Sequence, residues 1–192
     1  SIPSAVSASI VPTLTAAVMN RQRKKVHYQI DQTLRIATII TIPSCVGIAV
    51  LASPLMVLLY NDSSATPANL LMLGAIVIVL YGWSSITNSV LHGLNYMSSP
   101  AKNAAVALVI HLIAFVVMLV AFRMNVYALV GSNIVSALIM CVLNQLKIRK
   151  VCGYKINIRH MFLKPFIAAA VMGVVTYIIW FVLDLLIGGR VI

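Results

Sequence analysis

No glutamate occurs in this 192-residue chain, and only three aspartates do, Asp31, Asp62 and Asp184. That scarcity removes the carboxylate pairs used for acid–base work and the clustered aspartates that hold a metal–diphosphate. The three cysteines, Cys45, Cys141 and Cys152, are widely separated and form no C-x-x-C pair. Neither a disulfide framework nor a zinc site is built from them, and they read as small apolar fillers. No H-E-x-x-H pattern and no nucleophile elbow occurs either, so neither enzyme chemistry nor a metal or cofactor is expected. Charged residues amount to 9%, where a soluble domain carries about 25%. The formal net charge of +11 therefore reflects missing acids as much as added bases. It does not point to nucleic acid, because a basic patch for a polyanion needs a soluble surface around it.

What the chain has in abundance is apolar surface: 61% of its residues are hydrophobic, and mean hydropathy is +1.03. Its solvent must be mostly lipid. A helix that crosses a bilayer needs about 20 predominantly apolar residues. Stretches of that kind fall at residues 1–19, 36–60, 68–92, 103–122, 124–146 and 165–187. The segments between them carry Asn, Asp, Ser, Gly and Pro, which form turns. The expected fold is all-α, a polytopic transmembrane helical bundle of about six spans forming a single domain over 1–192. No signal peptide is visible, and Ser1 stands inside an apolar stretch, so the chain is expected to be a piece of a longer protein.

Orientation tests that count. Six spans place the loops 20–35, 93–102 and 147–164 on one side of the membrane. Twelve of the fourteen Lys and Arg residues lie there, leaving only Arg123 and Arg190 for the other side. Cytoplasmic loops are enriched in Lys and Arg, so the rich side faces the cytoplasm. Its strongest determinants are Arg21, Arg23, Lys24 and Lys25 in "NRQRKKVHYQ", with Lys147, Arg149 and Lys150 in the last loop. Helical spacing puts Val26 and Ile30 on one face, and a short interfacial helix over Val26–Gln32 is expected to lead into the second span.

Few polar groups lie at membrane depth. His111 falls near the middle of the fourth span. It reads either as a cavity-lining donor or proton-linked switch, or as a neutral histidine hydrogen-bonded between helices. Ser84, Thr87, Asn88 and Leu91 recur at helical spacing in the third span. That polar stripe either lines a wet cavity or joins two helices. Ser132, Asn133 and Ser136 in the fifth span read as tight small-residue packing. Pro12 and Pro43 lie within spans and are hinge candidates.

Taken in order, "SASIVPTLTAAV" (Ser7–Val18), a basic polar loop, "TIPSCVGIAVLASPLMVLLYN" (Thr41–Asn61), "VLHGLNYMSSPAKNA" (Val90–Ala104) and "VYALVGSNIVSALIMCVLNQLKIRKVCGYKI" (Val126–Ile156) form a pattern. It resembles the multidrug, oligosaccharidyl-lipid and polysaccharide exporter superfamily, in its stage V sporulation protein B and lipid II flippase branch. The resemblance implies a two-lobe, fourteen-span transporter of the bacterial plasma membrane, with this chain supplying spans eight to thirteen. It further implies a lipid-linked saccharide on an undecaprenyl diphosphate as substrate, moved by alternating access. The implied partners are membrane lipids, that substrate and the N-terminal lobe. Departures from the family pattern are visible. Ser53 stands where many members carry an acid, and the family's cavity cations, expected to hold the diphosphate, have no counterpart here. A cation-coupled multidrug extruder of the same superfamily, or a non-transporting scaffold for cell-wall enzymes, are the competing readings.

Overall fold

The computed structural model describes the backbone of residues 2–60, 65–154 and 158–187, and the side chains of 9–60, 65–154 and 161–182. The described chain is helical, without strands: α1 Ile2–Met19, α2 Arg23–Val50, α3 Ala52–Tyr60, α4 Ala65–Gly93, α5 Ser98–Val120, α6 Tyr127–Cys152 and α7 Ile158–Ile187. Five stretches are long and apolar enough to cross a membrane, namely α2, α4, α5, α6 and Met161–Val182 of α7. The described apolar part of α1, Ser9–Met19, is shorter.

Local chemistry accounts for the helix ends. Beyond α1, Arg21 takes the left-handed conformation at φ 54°. Its N–H bonds Val18 O and that of Gln22 bonds Ala17 O, each at 3.0 Å. This pair of bonds closes a Schellman turn, in which the left-handed position usually belongs to Gly. The end of α4 repeats the motif with Asn95 (φ 65°), whose N–H reaches His92 O while that of Tyr96 reaches Leu91 O. Helix α6 stops at Gly153, φ 70°, where glycine carries no steric cost. The division between α2 and α3 falls at Leu51, three residues before Pro54. A proline ring has no N–H for the carbonyl four residues back and crowds it, here that of Val50. Pro12 and Pro43 lie inside α1 and α2, which are assigned as continuous helix through both.

One expectation is corrected here. Residues 26–32 form no separate interfacial helix but are the first turns of α2. Val26, Ile30, Leu34 and Ala37 extend one buried stripe straight toward the membrane, and no helix breaker divides it before Pro43.

Helix α4 is the hub, packing against α1, α2, α3 and α6, while α2 also holds α7 and α5 rests almost wholly on α6. Leu14, Ile30, Leu34, Ile86, Val90, Leu91 and Ile148 are fully buried in a single cluster. All belong to the bundle end that carries the cations. Trp83 stacks on Phe162 with ring centroids 5.0 Å apart, tying the start of α7 to α4. Lipid tails offer no hydrophobic drive for helices to associate, so close backbone approach and polar contacts matter more. Two glycines of α4 permit that approach. A Cβ on Gly82 would sit 2.5 Å from Thr41 Cγ2, and one on Gly93 would sit 2.9 Å from Leu14 Cδ2.

Gly82→Val is therefore expected to lower thermal stability in detergent by about 1–3 kcal/mol, the usual cost of overpacking. Gly74→Val, at a position with nothing within 4 Å, is the control and should leave the unfolding temperature unchanged. Equal effects at both sites would remove close approach as a determinant of the bundle.

Candidate functional site: a neutral polar pocket at membrane depth

Helices α4, α5 and α6 form an open pocket of about 500 Å³ lined by Tyr81, Ser84, Ser85, Asn88, His111, Asn133 and Ser136, with Ala104, Ala107, Leu108 and Met140 as its apolar part. Helical spacing builds it: Tyr81, Ser84, Ser85 and Asn88 succeed one another on one side of α4, and Asn133 and Ser136 do so on α6. His111 comes from α5. None of the lining residues is an acid, a lysine or an arginine. The pocket therefore presents hydroxyls, carboxamides and an imidazole, which suit hydroxyl-rich groups or water better than a bare ion.

Its members are not equally engaged. Ser136 Oγ donates to Ala107 O on α5 at 3.3 Å, and Asn133 Nδ2 donates to Leu129 O at 3.1 Å. Tyr81 OH lies 3.5 Å from Asn133 Oδ1. His111 Nδ1 is buried with no hydrogen-bond partner among the described residues. A buried polar atom left unmatched costs on the order of 1–3 kcal/mol, so this nitrogen marks where an incoming polar group would gain most.

Of the four candidates read from the sequence, Ser84, Asn88 and His111 meet on this pocket. Thr87 lies just behind it, fully buried, with its hydroxyl directed at Trp83 O and Ser84 O. Asn133 and Ser136, read from the sequence as packing residues, also face the pocket. Ser132 is fully buried, bonded to Leu129 O within its own helix.

Sequence reasoning passed over the residue that holds the pocket's back wall. Asn144 of α6 is fully buried. Its Nδ2 donates to Thr87 Oγ1 at 3.0 Å and to Asn88 Oδ1 at 2.7 Å. Its Oδ1 accepts from Asn103 Nδ2 of α5 at 2.8 Å. One carboxamide thus uses both N–H groups and its oxygen to join three helices. A usable signal existed: Asn88, Asn103 and Asn144 each lie within one turn of a basic residue, His92, Lys102 or Lys147, and so sit near the same end of the bundle.

The cations read from the sequence as topology determinants gather at one end of the bundle. Arg21, Arg23, Lys24, Lys25, Arg149 and Lys150 are exposed there, and Lys147 Nζ sits 5.0 Å above the Tyr96 ring. At the same end His27 Nε2 lies 2.9 Å from Cys152 O, and Tyr154 OH donates to Asp31 Oδ1 at 3.0 Å. Burial first, and the Asp31 carboxylate second, push the Tyr154 phenol well above its ordinary range. No cluster of three metal-ligating side chains occurs among the described residues.

A family model described as "Lipid II flippase MurJ" matches residues 2–186. The "Lipid II flippase MurJ" of Bacillus subtilis (strain 168) is 24% identical over 190 residues, which is 97% of this chain. The chain spans 35% of that relative's own length. No solved structure matches.

Asn144→Ala is expected to destabilise the fold by about 1–3 kcal/mol, because the removed carboxamide leaves Asn88 and Asn103 without their partner. Asn103→Ala, which removes one of the three bonds, should cost less. A double-mutant cycle on the Asn103–Asn144 pair, followed by thermal unfolding, should give a coupling of roughly 0.6–1.7 kcal/mol.

Proposed function

Because this chain belongs to the lipid II flippase MurJ family, we propose that its protein moves a lipid-linked peptidoglycan precursor across the bacterial plasma membrane. The chain is a multi-pass membrane segment, and its family match over residues 2–186 is the observation that carries this reading. In the proposed mechanism the chain is the second of two lobes that rock against one another, exposing the substrate site to each side in turn. Helix α1 serves as a sixth span beside the five longer ones. Pro12 and Pro43 are the positions where helices of this lobe flex during rocking.

The role assigned to the chain follows from what its polar pocket can and cannot hold. Ser84, Asn88, His111, Asn133 and Ser136 offer neutral donors and acceptors, which match saccharide hydroxyls or the water around them. They supply no cation for a diphosphate, so charge recognition is assigned to parts of the protein outside this chain. Transport needs a polar path and a movable lobe rather than a reactive group, in keeping with a carrier.

The test is depletion of the protein in cells, with readout of which membrane face the lipid-linked precursor occupies. Accumulation on the cytoplasmic face is expected. If sidedness is unchanged while drug efflux falls, the cation-coupled extruder replaces this reading.

His111→Leu removes the pocket's one imidazole without adding bulk at its mouth. Loss of a hydrogen bond of about 1 kcal/mol to the passing group corresponds to an approximately fivefold slower flipping rate. His111→Asn, which keeps a donor and an acceptor, should restore most of that rate. Normal rates in both variants would make His111 a packing residue.

A further inference from the structure

The basic stretch 20–25 does more at the cytoplasmic end than mark a side of the membrane. A second cavity, of about 530 Å³, opens there where the turn after α1 meets the start of α2, the turn after α4 and the end of α6. Its polar lining includes Arg21, Gln22, Arg23 and His27, and its apolar floor includes Val26 and Leu94. Lys24 and Lys25, their immediate neighbours, are exposed but do not line it. The run of four cations is thus divided two and two.

The cavity lacks its own counter-charge. No acid lines it. The single ion pair among the described residues joins Arg35 to Asp31, and Asp31 also accepts from Tyr154. Neither Arg21 nor Arg23 is in an ion pair among the described residues, although the Arg23 charge acts on the Cys152 thiol in the same lining. The backbone N–H groups of Arg21, Gln22 and Arg23 are already bonded, to Val18 O, Ala17 O and Arg21 O, so recognition in this cavity falls to side chains. The Lys147 ammonium over Tyr96 adds a further positive charge next to the lining.

Backbone conformation points the same way. Arg21 occupies the left-handed position of its Schellman turn, which a glycine would fill without strain. The two backbone bonds of that turn set the backbone of position 21 beside the cavity that its residue lines. Two guanidiniums suit phosphate oxygens through paired N–H donors. The apolar floor suits the glycerol or acyl portion of an amphiphile.

From this we infer that Arg21 and Arg23 form a binding site for a phosphate mono- or diester at the cytoplasmic face of this bundle. It is separate from the neutral pocket of α4, α5 and α6, and independent of what the protein carries. A membrane-lipid headgroup and a soluble phosphate share this chemistry.

The experiment compares the intact protein with two charge-matched variants, Arg21→Gly/Arg23→Gln and Lys24→Gln/Lys25→Gln. Glycine at position 21 keeps the turn, so the first variant retains its fold. Binding of phosphatidylglycerol is counted by native mass spectrometry from neutral micelles. Separately, inorganic phosphate is tested for protection of Arg21 and Arg23 against phenylglyoxal in phosphatidylcholine nanodiscs. The first variant is expected to lose about tenfold or more in affinity, the effect of one charge-assisted hydrogen bond, while the second stays within about twofold of the wild type. Phosphatidylglycerol binding without protection by inorganic phosphate assigns the site to a lipid headgroup, and protection by inorganic phosphate as well assigns it to the phosphate group itself. Equal losses in the two variants would overturn the site in favour of diffuse surface attraction. Absence of both phosphatidylglycerol binding and protection by inorganic phosphate would overturn it too. A lower unfolding temperature for the first variant with unchanged binding would overturn it as well, making the two arginines partners of the helix ends.

Discussion

The Asn144 carboxamide is the constraint around which the described bundle is arranged. Surrounded by helices rather than water, it must match two donors and an acceptor from protein. It does so with Thr87 and Asn88 on α4 and with Asn103 on α5. Those bonds fix the rotation of α4 and α6 about their axes, because a turn of either by one residue would swing its polar group about 100° away. With that rotation set, Ser84 and Asn88 face His111, Asn133 and Ser136, and the neutral pocket exists. Thr87 shows how local the demand is: it accepts from Asn144 while giving its own proton to its helix backbone.

This arrangement also explains why burial is concentrated at the end that carries the cations. Apolar side chains gain little by exchanging lipid for protein, so helices stay together where polar bonds or close approach hold them. Asn144, the Gly93–Leu14 contact and the Trp83–Phe162 stack all lie toward that end. The fully buried residues Leu14, Ile30, Leu34, Leu91 and Ile148 cluster with them. Away from it, Leu58, Leu59 and Tyr60 of α3 are exposed, as are most apolar residues of α5 and α7.

Much of this was legible in the sequence, for physical reasons. Apolar runs near bilayer length yield the helical bundle without any packing information, and cations confined to alternate loops gather at one end of it. The polar stripe of α4 and His111 stood out because they break apolar runs. Asn144 did not stand out, because with Gln145 and Lys147 beside it, it looks like the interface end of a span. Its importance comes from meeting Asn103 and Asn88, which is a tertiary fact. Residues 26–32 misled for the opposite reason. Their polar composition suggests a surface helix, yet Val26 and Ile30 continue a stripe that only the neighbouring helices reveal as buried.

The basic run shows how a single sequence feature can serve two purposes that differ in range. Orientation depends on total charge near the membrane surface, to which each Lys or Arg contributes about 1 kcal/mol with anionic headgroups whatever its rotamer. Recognition depends on where a guanidinium points. Lys24 and Lys25, on flexible stems at the outside of α2, satisfy the first requirement alone. Arg21 is held by two backbone bonds of a Schellman turn, and Arg23 opens the next helix. Their backbones are therefore fixed relative to the cavity that both line.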